Sequence, residues 1–407
     1  MAPKPYLAKD VFRHPGYLNF VASRVFSSIS YQSIAVALGW MIYDKTNSAY
    51  ALALIGLCQF LPMVILTFIV GHIADRFDRR RIGLTCQVVE ALVSLALAVA
   101  VWQDMLSPSG IFIAITILGA TVAFERPTMS ALLPNIVPHA MLQQAVATST
   151  SLMQTALIIG PSIGGLLYGF HSVAPFVIST VCFSLASINI IAIPLTWVPA
   201  KREPITFSSV FAGVSFIKGR PVILGTISLD LFAVLLGGAT ALLPMFARDI
   251  LLAGPWGLGF LRAAPAIGAL AMSIFLARNP LTRRVGDTML FAVAAFGVAT
   301  TLFSLSSNII ISVIALFFVG AADTVSVVVR SSLVQLMTPD SMRGRVNAVN
   351  SLFIGTSNQL GEFESGLLAG AMGPIVAGVL GGVGTIAIVL LWMVIFPELR
   401  KVDTLSG

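Results

Sequence analysis

The distribution of basic residues between long apolar stretches constrains this chain more than any other feature. Six clusters of Lys and Arg hold 18 of the 24 basic residues, and they occur at every second gap between the apolar stretches. The alternate gaps contain only Lys45 and Arg248. Loops rich in Lys and Arg stay on the cytoplasmic side of a membrane. The pattern therefore predicts a multi-pass membrane protein with an even number of spans and with both termini in the cytoplasm.

Composition and length predict the kind and number of spans. Hydrophobic residues make up 57% of the chain and charged residues 10%, whereas soluble domains carry about 25% charged residues. A helical span needs about 20 apolar residues, and no alternating ten-residue pattern indicates a barrel. We therefore predict an all-α membrane protein with about twelve transmembrane helices. The predicted spans cover residues 17–43, 50–72, 82–103, 111–133, 143–170, 174–199, 222–247, 256–277, 287–307, 308–337, 346–369 and 371–397.

The one sizeable internal connection divides the predicted spans into two sets of six. Residues 200–221 are polar and basic, so we predict a cytoplasmic linker that contains a short amphipathic helix on the membrane surface. Residues 1–199 then form an N-terminal six-helix half, and residues 222–407 form a C-terminal half with a short cytoplasmic tail. Arg126 and Arg330 recur at corresponding places in the two halves. A parallel repeat of this kind predicts two pseudo-symmetric halves, as in several transporter folds.

The connection between the second and third spans contains the most specific motif. Its sequence, "GHIADRFDRRR" over residues 71–81, resembles the signature loop of the major facilitator superfamily. The resemblance assigns a gating role to Gly71, Asp75, Arg76, Arg79 and Arg80. A glycine permits close helix approach, and a carboxylate can face the positive N-terminal end of a helix from the other half. The alternative is an ordinary basic loop that obeys the positive-inside rule.

Three further segments extend the resemblance over nearly the whole chain. "GPSIGG" resembles the Gly-Pro-rich element of antiporters in this superfamily, and it equally fits a helix kink with a close helix crossing. The residues of this element are Gly160, Pro161, Gly164 and Gly165. "LVQLMTPDSMRGRVNAVNSLF" (333–353) and "SNQLGEFESG" (357–366) are similar to the bacterial branch that includes the enterobactin exporter and macrolide-efflux proteins. The resemblance implies a transporter.

Ionisable residues inside the predicted spans are the candidate site residues, because charge in the bilayer is costly and usually functional. The resemblance implies that spans 1, 4, 7 and 10 surround a central cavity, and span 11 adds a polar face. The candidates for the substrate cavity are Arg24, Tyr31, Glu125, Arg126, Asp230, Asp323, Arg330 and Asn358. The candidates for proton coupling are Asp323, Asp230, Glu125 and Glu362, with Asp323 preferred. Alternatively, these charges pair with one another and hold helices together. Glu90 and Arg262 are interpreted as structural or as snorkelling towards the membrane surface.

These features favour a secondary transporter over an enzyme. The chain lacks a Gly-x-x-x-x-Gly-Lys-Ser/Thr loop, so we expect no ATP hydrolysis within it. The leading hypothesis is proton-coupled export of a small amphipathic molecule of the drug or siderophore class by alternating access. An importer or facilitator of a small metabolite is the alternative, and a membrane-embedded enzyme is less favoured.

The expected partners follow from the same reasoning. We expect a small-molecule substrate, protons and membrane lipid, and we expect a monomer in the bacterial inner membrane. Nucleic acid is not expected, because the basic residues follow the loop alternation. Cys58, Cys86 and Cys182 are isolated in different spans, and the four histidines are scattered. We therefore expect no metal site and no cofactor.

Overall fold

The computed structural model describes residues 11–194, 214–281 and 283–404. Within these ranges the chain forms twelve long helices, followed by a short helix α13 (Pro397–Arg400). The long helices are α1 (Tyr17–Thr46), α2 (Ala49–Arg76), α3 (Arg79–Trp102), α4 (Pro108–Ile136), α5 (Leu142–Phe170), α6 (Ala174–Ile191), α7 (Pro221–Leu236), α8 (Gly254–Arg278), α9 (Val285–Leu305), α10 (Ile309–Leu336), α11 (Asp340–Met372) and α12 (Pro374–Ile395).

Eleven helical segments of the described ranges have the length and apolar composition to cross a membrane. The twelfth long helix, α11, has 33 residues and is long enough to span at 1.5 Å per residue. Its polar residues lower its hydropathy, which agrees with the polar face predicted for this span. The spans are helical because a helix satisfies the hydrogen bonds of its backbone within its own segment, as the interior of a membrane requires.

The largest differences between the predicted and observed helices lie at the sixth span, the linker and the seventh span. The sixth helix ends at Ile191, and residues 195–213 of the predicted span end and linker lie outside the described ranges. Of the predicted linker helix, residues 214–218 are helical. The seventh span is not one continuous α-helix, because α7 ends at Leu236 before the Gly237–Gly238 pair. Short helical turns, including a π-helix over Phe246–Ile250, continue it. Glycine disfavours the helix interior and so permits this break.

The chain divides into two compact units. Unit 1 consists of Met1–Lys45 with Cys58–Pro204, and unit 2 consists of Thr46–Leu57 with Ile205–Gly407. In unit 1, α3 packs against α4 and α6. A buried apolar cluster joins α1, α4 and α6 there, and its members include Tyr17, Phe20, Met129, Leu132 and Ile190. Burial of these side chains positions the polar side chains on the same helices.

In unit 2, α10 packs against α8 and α9, and α9 packs against α12. Its largest apolar cluster includes Leu229, Met289, Leu333 and Trp392. The start of α2 also belongs to this unit and packs on α11, where a Cβ added at Gly366 would lie 2.6 Å from the Cβ of Ala53. Small residues at such a crossing let the two backbones approach closely.

The end of the chain is fastened to the start of α9 within unit 2. The main-chain N–H of Gly286 donates to the carbonyl of Val402, at 3.0 Å. The Asp403 carboxylate accepts from the main-chain N–H of Arg284, at 2.9 Å. Arg284 has φ +51°, in the left-handed region. These contacts fix the junction at which α9 begins.

Candidate functional site

The centre of unit 1 contains a hydrogen-bonded cluster on α1, α3 and α4. The Glu125 carboxylate accepts from the Ser27 hydroxyl at 2.9 Å and from the Gln87 amide at 2.8 Å. Gln87 also lies 2.8 Å from the Ser23 hydroxyl. All four side chains are buried. The predicted site residue Glu125 is therefore enclosed by neutral donors within its own unit.

Glu90 lies beside this cluster on α3. Its side chain is fully buried, and neither carboxyl oxygen has a hydrogen-bond partner among the described residues. The nearby hydroxyls of Ser27 and Thr121 donate elsewhere, to Glu125 and to the main-chain carbonyl of Leu118. A charged carboxylate without donors is costly in a dry interior. Glu90 is therefore placed with the candidate site rather than at the lipid boundary.

The two arginines predicted for this half lie next to the same cluster. Arg24 on α1 donates to the Ser149 hydroxyl on α5 at 3.4 Å, and its guanidinium carbon lies 5.7 Å from the ring centre of Phe20. Arg24 interacts electrostatically with Glu125 and with Arg126. Arg126 is exposed, and Tyr31 is half-buried further along α1. Arg24 of span 1 is thus brought together with Glu125 and Arg126 of span 4.

The centre of unit 2 contains an ion pair instead. The Arg330 guanidinium on α10 donates to the Asp230 carboxylate on α7, and the two side chains are 7% and 6% exposed. Asp323, about two turns earlier on α10, interacts electrostatically with both partners. The predicted residues of spans 7 and 10 therefore form one group of two acids and one base.

The predicted residues of α11 do not join this group. Asn358 is exposed, and its amide donates to the main-chain carbonyl of Ile354 on its own helix at 2.8 Å. Glu362 is half-buried and interacts electrostatically with Arg262 of α8. The Arg262 Nε is buried without a hydrogen-bond partner among the described residues. Arg262 and Glu362 are thus two opposite charges that interact with each other, apart from the group around Arg330.

The loop motif is described only in part. The backbone of Gly71, Asp75 and Arg76 forms the end of α2, and their side chains lie outside what the structure describes. Arg79 donates to the carbonyl of Ala131 at 3.0 Å. Arg80 donates to the carbonyl of Ile193, also at 3.0 Å. Both arginines therefore satisfy main-chain carbonyls near the ends of α4 and α6 in unit 1.

The Gly-Pro element of α5 lies at a close crossing with α1. The Ser33 hydroxyl donates to the carbonyl of Gly160 at 3.0 Å. A Cβ added at Gly164 would lie 2.5 Å from the carbonyl oxygen of Ser33. Pro161 lies inside the helix between these two contacts, and Gly165 is buried beside them. The geometry accounts for the small residues by helix packing.

Sequence reasoning missed Gln87 and assigned Glu90 to a structural role. A usable signal was present, because Gln87, Glu90 and Ser94 are polar at helical spacing in an otherwise apolar span. The described residues contain no group of three or more His, Cys, Asp or Glu side chains that could hold a metal ion. The carboxylates, guanidinium groups and neutral donors of the site can transfer protons and bind a ligand by charge or by hydrogen bonds.

Comparison with known proteins identifies the family. The sequence model of the family described as transmembrane secretion effectors, of the major facilitator superfamily, matches residues 4–406. The enterobactin exporter EntS of Escherichia coli O1:K1 / APEC is 25% identical over 393 residues, which cover 95% of this chain and 93% of the relative. EntS of Escherichia coli O139:H28 gives the same identity and coverage.

Solved transporters share the fold at low sequence identity. A POT family transporter in complex with 5-aminolevulinic acid matches with a TM-score of 0.74 and 12% identity, over 95% of this chain and 97% of that chain. A bacterial homolog of the human lysosomal transporter Spinster matches with a TM-score of 0.71 and 13% identity, over 95% and 96%. The predicted all-α fold of about twelve transmembrane helices in two pseudo-symmetric halves is confirmed. The chain belongs to the transmembrane secretion effector family of the major facilitator superfamily, and it is a multi-pass membrane transporter rather than an enzyme.

Proposed function

We propose that this transporter is a proton-coupled exporter of small amphipathic organic molecules, of the drug or siderophore class. The family assignment and the similarity to an enterobactin exporter support export. The alternation of basic loops supports a bacterial inner-membrane location with both termini in the cytoplasm. Residues 1–199 and 222–397 would move against each other by alternating access, with 200–221 as the cytoplasmic linker.

The observation that carries proton coupling is the ratio of acids to bases at the centre of unit 2. Asp230 and Asp323 share one base, Arg330. With both acids ionised the group has one surplus negative charge, and a single proton makes it neutral. Because surplus charge in a low-dielectric interior is costly, this group favours binding of one proton. Arg330 forms its ion pair with Asp230, so Asp323 is the acid that takes the proton.

The side chains near the centre of unit 1 suit an amphipathic substrate. Tyr31 offers an aromatic ring with a hydroxyl, and Arg24 and Arg126 offer guanidinium donors. A mostly apolar site with a few convergent polar groups is typical of small-molecule binding. A monomer has the complete set of these groups.

The loop motif supports a gating role that can be tested by mutation. The proposal rests on the sequence of residues 71–81, in which Asp75 would stabilise one of the two states of the cycle. Asp75→Asn should lower the transport rate more than substrate affinity. Transport rates equal to those of the unchanged protein would contradict the role. The Gly-Pro element at Gly160–Gly165 is proposed to hold the α1–α5 crossing rigid during this cycle.

The proposed function is tested with purified protein in liposomes that contain a pH-sensitive dye. Siderophores, macrolides and cationic dyes are supplied in turn, and substrate-dependent proton movement is recorded for the unchanged protein and for Asp323→Asn. Asp287→Asn is the matched control, because Asp287 lies at the start of α9 and pairs with Arg400 at the surface.

We expect substrate-dependent proton flux that is lost in Asp323→Asn and retained in Asp287→Asn. Substrate flux without proton movement would make the protein a facilitator, and the acids of the spans would then have helix-pairing roles. Proton flux that persists in Asp323→Asn would place the coupling site elsewhere, with Asp230, Glu125 and Glu362 as the remaining candidates.

A further inference from the structure

We propose that unit 1 contains a binding site for an acidic group of the transported molecule, formed by Arg24 of α1 and Arg126 of α4. The inference rests on the proposed transport function and deepens it, because it names the substrate class as organic anions. It follows from the placement of the two guanidinium groups, from the charge balance around them and from the exposure of Arg126.

The two guanidinium groups lie around one shared carboxylate, that of Glu125. Arg24 interacts electrostatically with Glu125 and, less strongly, with Arg126, and Glu125 interacts with both arginines. Among the described residues, no carboxylate lies within 4.0 Å of either guanidinium, since the ion pairs found there involve other residues. Arg24 is held in place by Ser149 and by the ring of Phe20.

The acids behind the arginines do not balance both of them. Glu125 accepts hydrogen bonds from Ser27 and Gln87, so of the two acids it is the one better able to carry a negative charge. Glu90 has no donor and is fully buried, and its ionised form would also face the neighbouring Glu125. Glu90 is therefore accommodated as the neutral acid. Two guanidinium groups then face at most one ionised carboxylate, and at least one positive charge is left over.

The surplus charge lies on a surface that is polar rather than apolar. Arg126 is exposed about 15 Å from the end of α4, at 1.5 Å per residue. Apart from Pro127, the exposed side chains of α4 and α5 at similar distances along their helices are also polar, and they include Ser130, Ser151, Gln154 and Thr155. An exposed charge at this depth faces water or a ligand instead of lipid. A guanidinium binds a carboxylate or similar acid through two parallel hydrogen bonds.

Among the described residues of unit 2, the two arginines in the interior of the spans do not offer an equivalent exposed site. Arg262 is half-buried and interacts with Glu362. Arg330 is buried and already paired with Asp230, and the acids there outnumber the base. An anionic substrate is therefore recognised by unit 1, whereas the proton is taken by unit 2. The geometry assigns the two ligands to different groups of side chains.

The test uses three compounds that share a ring system and differ in charge: 2-naphthoate, 2-naphthamide and 2-naphthylmethylammonium. Equilibrium binding of each is measured to the full-length protein in phosphatidylcholine nanodiscs, without any gradient. The variants are Arg126→Gln, Arg126→Lys and Arg126→Glu. Arg278→Gln is the matched control, because Arg278 is an exposed arginine at the end of α8 in unit 2.

We expect 2-naphthoate to bind more tightly than the other two compounds. Loss of a hydrogen bond to a charged group weakens binding about tenfold or more, so Arg126→Gln should show that loss. Arg126→Lys should retain part of the affinity, because lysine keeps the charge but cannot form two parallel hydrogen bonds, and Arg278→Gln should change nothing. Arg126→Glu should reverse the preference towards 2-naphthylmethylammonium.

Absence of 2-naphthoate binding, equal binding of the three compounds, or binding unaffected by Arg126→Gln would overturn the inference. The measurement is repeated with phosphatidylglycerol in the nanodiscs. Arg126-dependent binding that the anionic lipid abolishes would assign the site to lipid headgroups and overturn the substrate assignment. Failure of the export proposal can be told apart from failure of the anion site. Equilibrium binding needs no transport, so Arg126-dependent binding of 2-naphthoate can be found even if no export occurs. Proton-coupled transport of the cationic compound only would leave export standing and overturn the anion site.

Discussion

The centres of the two units hold their acidic groups by different means. In unit 1, Glu125 is held by neutral donors from Ser27 and Gln87. In unit 2, Asp230 is held by a charged donor, Arg330, at similar burial. A buried ion pair is costly to break, because the remaining partner keeps its charge, whereas loss of a neutral hydrogen bond costs less. The same requirement, a polar group inside an apolar bundle, therefore leads to different tolerance of mutation in the two units.

The largest expected effect is the loss of the base in unit 2. Arg330→Gln leaves Asp230 and Asp323 without a cation, and breaking a buried pair in this way costs about 3–5 kcal/mol. Asp230→Asn should cost less, because Asp323 remains near Arg330. Thermal unfolding in detergent should therefore rank Arg330→Gln below Asp230→Asn, with both below the unchanged protein.

The double variant Asp230→Asn/Arg330→Gln is the control for this pair. It removes both charges, so it should regain most of the stability lost in Arg330→Gln. Losses that simply add in the double variant would show that the pair contributes nothing to folding, and the contrast between the units would fail.

The next largest loss of stability is expected at close helix crossings, one in each unit. In unit 2, a Cβ added at Gly320 would collide with the carbonyl oxygen of Pro265. In unit 1, a Cβ at Gly164 would lie 2.5 Å from the carbonyl oxygen of Ser33. Backbone atoms cannot rotate away, so Gly320→Ala should destabilise by about 3 kcal/mol and Gly164→Ala by about 2 kcal/mol. Unfolding midpoints in detergent measure both.

Gly110→Ala is the matched control for these crossings. Its nearest neighbour would be a methyl group of Leu106 at 3.3 Å, the end of a flexible side chain. The substitution should therefore be nearly neutral. If Gly110→Ala and Gly164→Ala gave equal losses, the small residues at the α1–α5 crossing would not be explained by close packing.

Much of the fold could be predicted from the sequence, because lipid imposes one dominant requirement. A span must be long, apolar and helical, and basic loops must alternate with other loops. Both the spans and the loop charges can be recognised from short stretches of sequence. The same reasoning identified Glu125, Asp230, Asp323 and Arg330, because a charge inside an apolar stretch is visible in the sequence.

The partners of these charges could not be predicted, because they depend on how each helix is rotated against its neighbours. Asp230 and Arg330 are 100 residues apart, and nothing local in either span identifies the other. Asn358 stays a predicted cavity residue, and the hydrogen bond that its amide donates to the carbonyl of Ile354 on its own helix was not predicted. The break after Leu236 depends on packing around Gly238, where a Cβ would lie 2.6 Å from the carbonyl oxygen of Gly361.

A smaller effect tests the neutral network of unit 1. Gln87→Leu removes one donor to Glu125 and the hydrogen bonds with Ser23, which should cost about 1–2 kcal/mol. Gln103→Leu, at the exposed end of the same helix, is the matched control and should change little. Thermal unfolding compares the two. A loss as large as that of Arg330→Gln would mean that Glu125 is held as tightly as a paired ion, and the comparison would need to be redrawn.

The smallest effect concerns a charge pair that is chemically like Asp230–Arg330 but lies in water. The Arg400 Nε is 3.5 Å from the Asp287 carboxylate, and the two side chains are 55% and 32% exposed. Water screens exposed pairs, so Arg400→Ala should cost no more than about 1 kcal/mol. The effect should shrink further at high salt, because exposed charges are screened by ions. Unfolding midpoints at low and high salt measure this loss of stability.

A salt-independent loss as large as that of Arg330→Gln would contradict the prediction. It would show that the loss of stability is determined by the contacts of the chain end with α9 and not by burial of charge. The difference between the two pairs would then have to be attributed to packing.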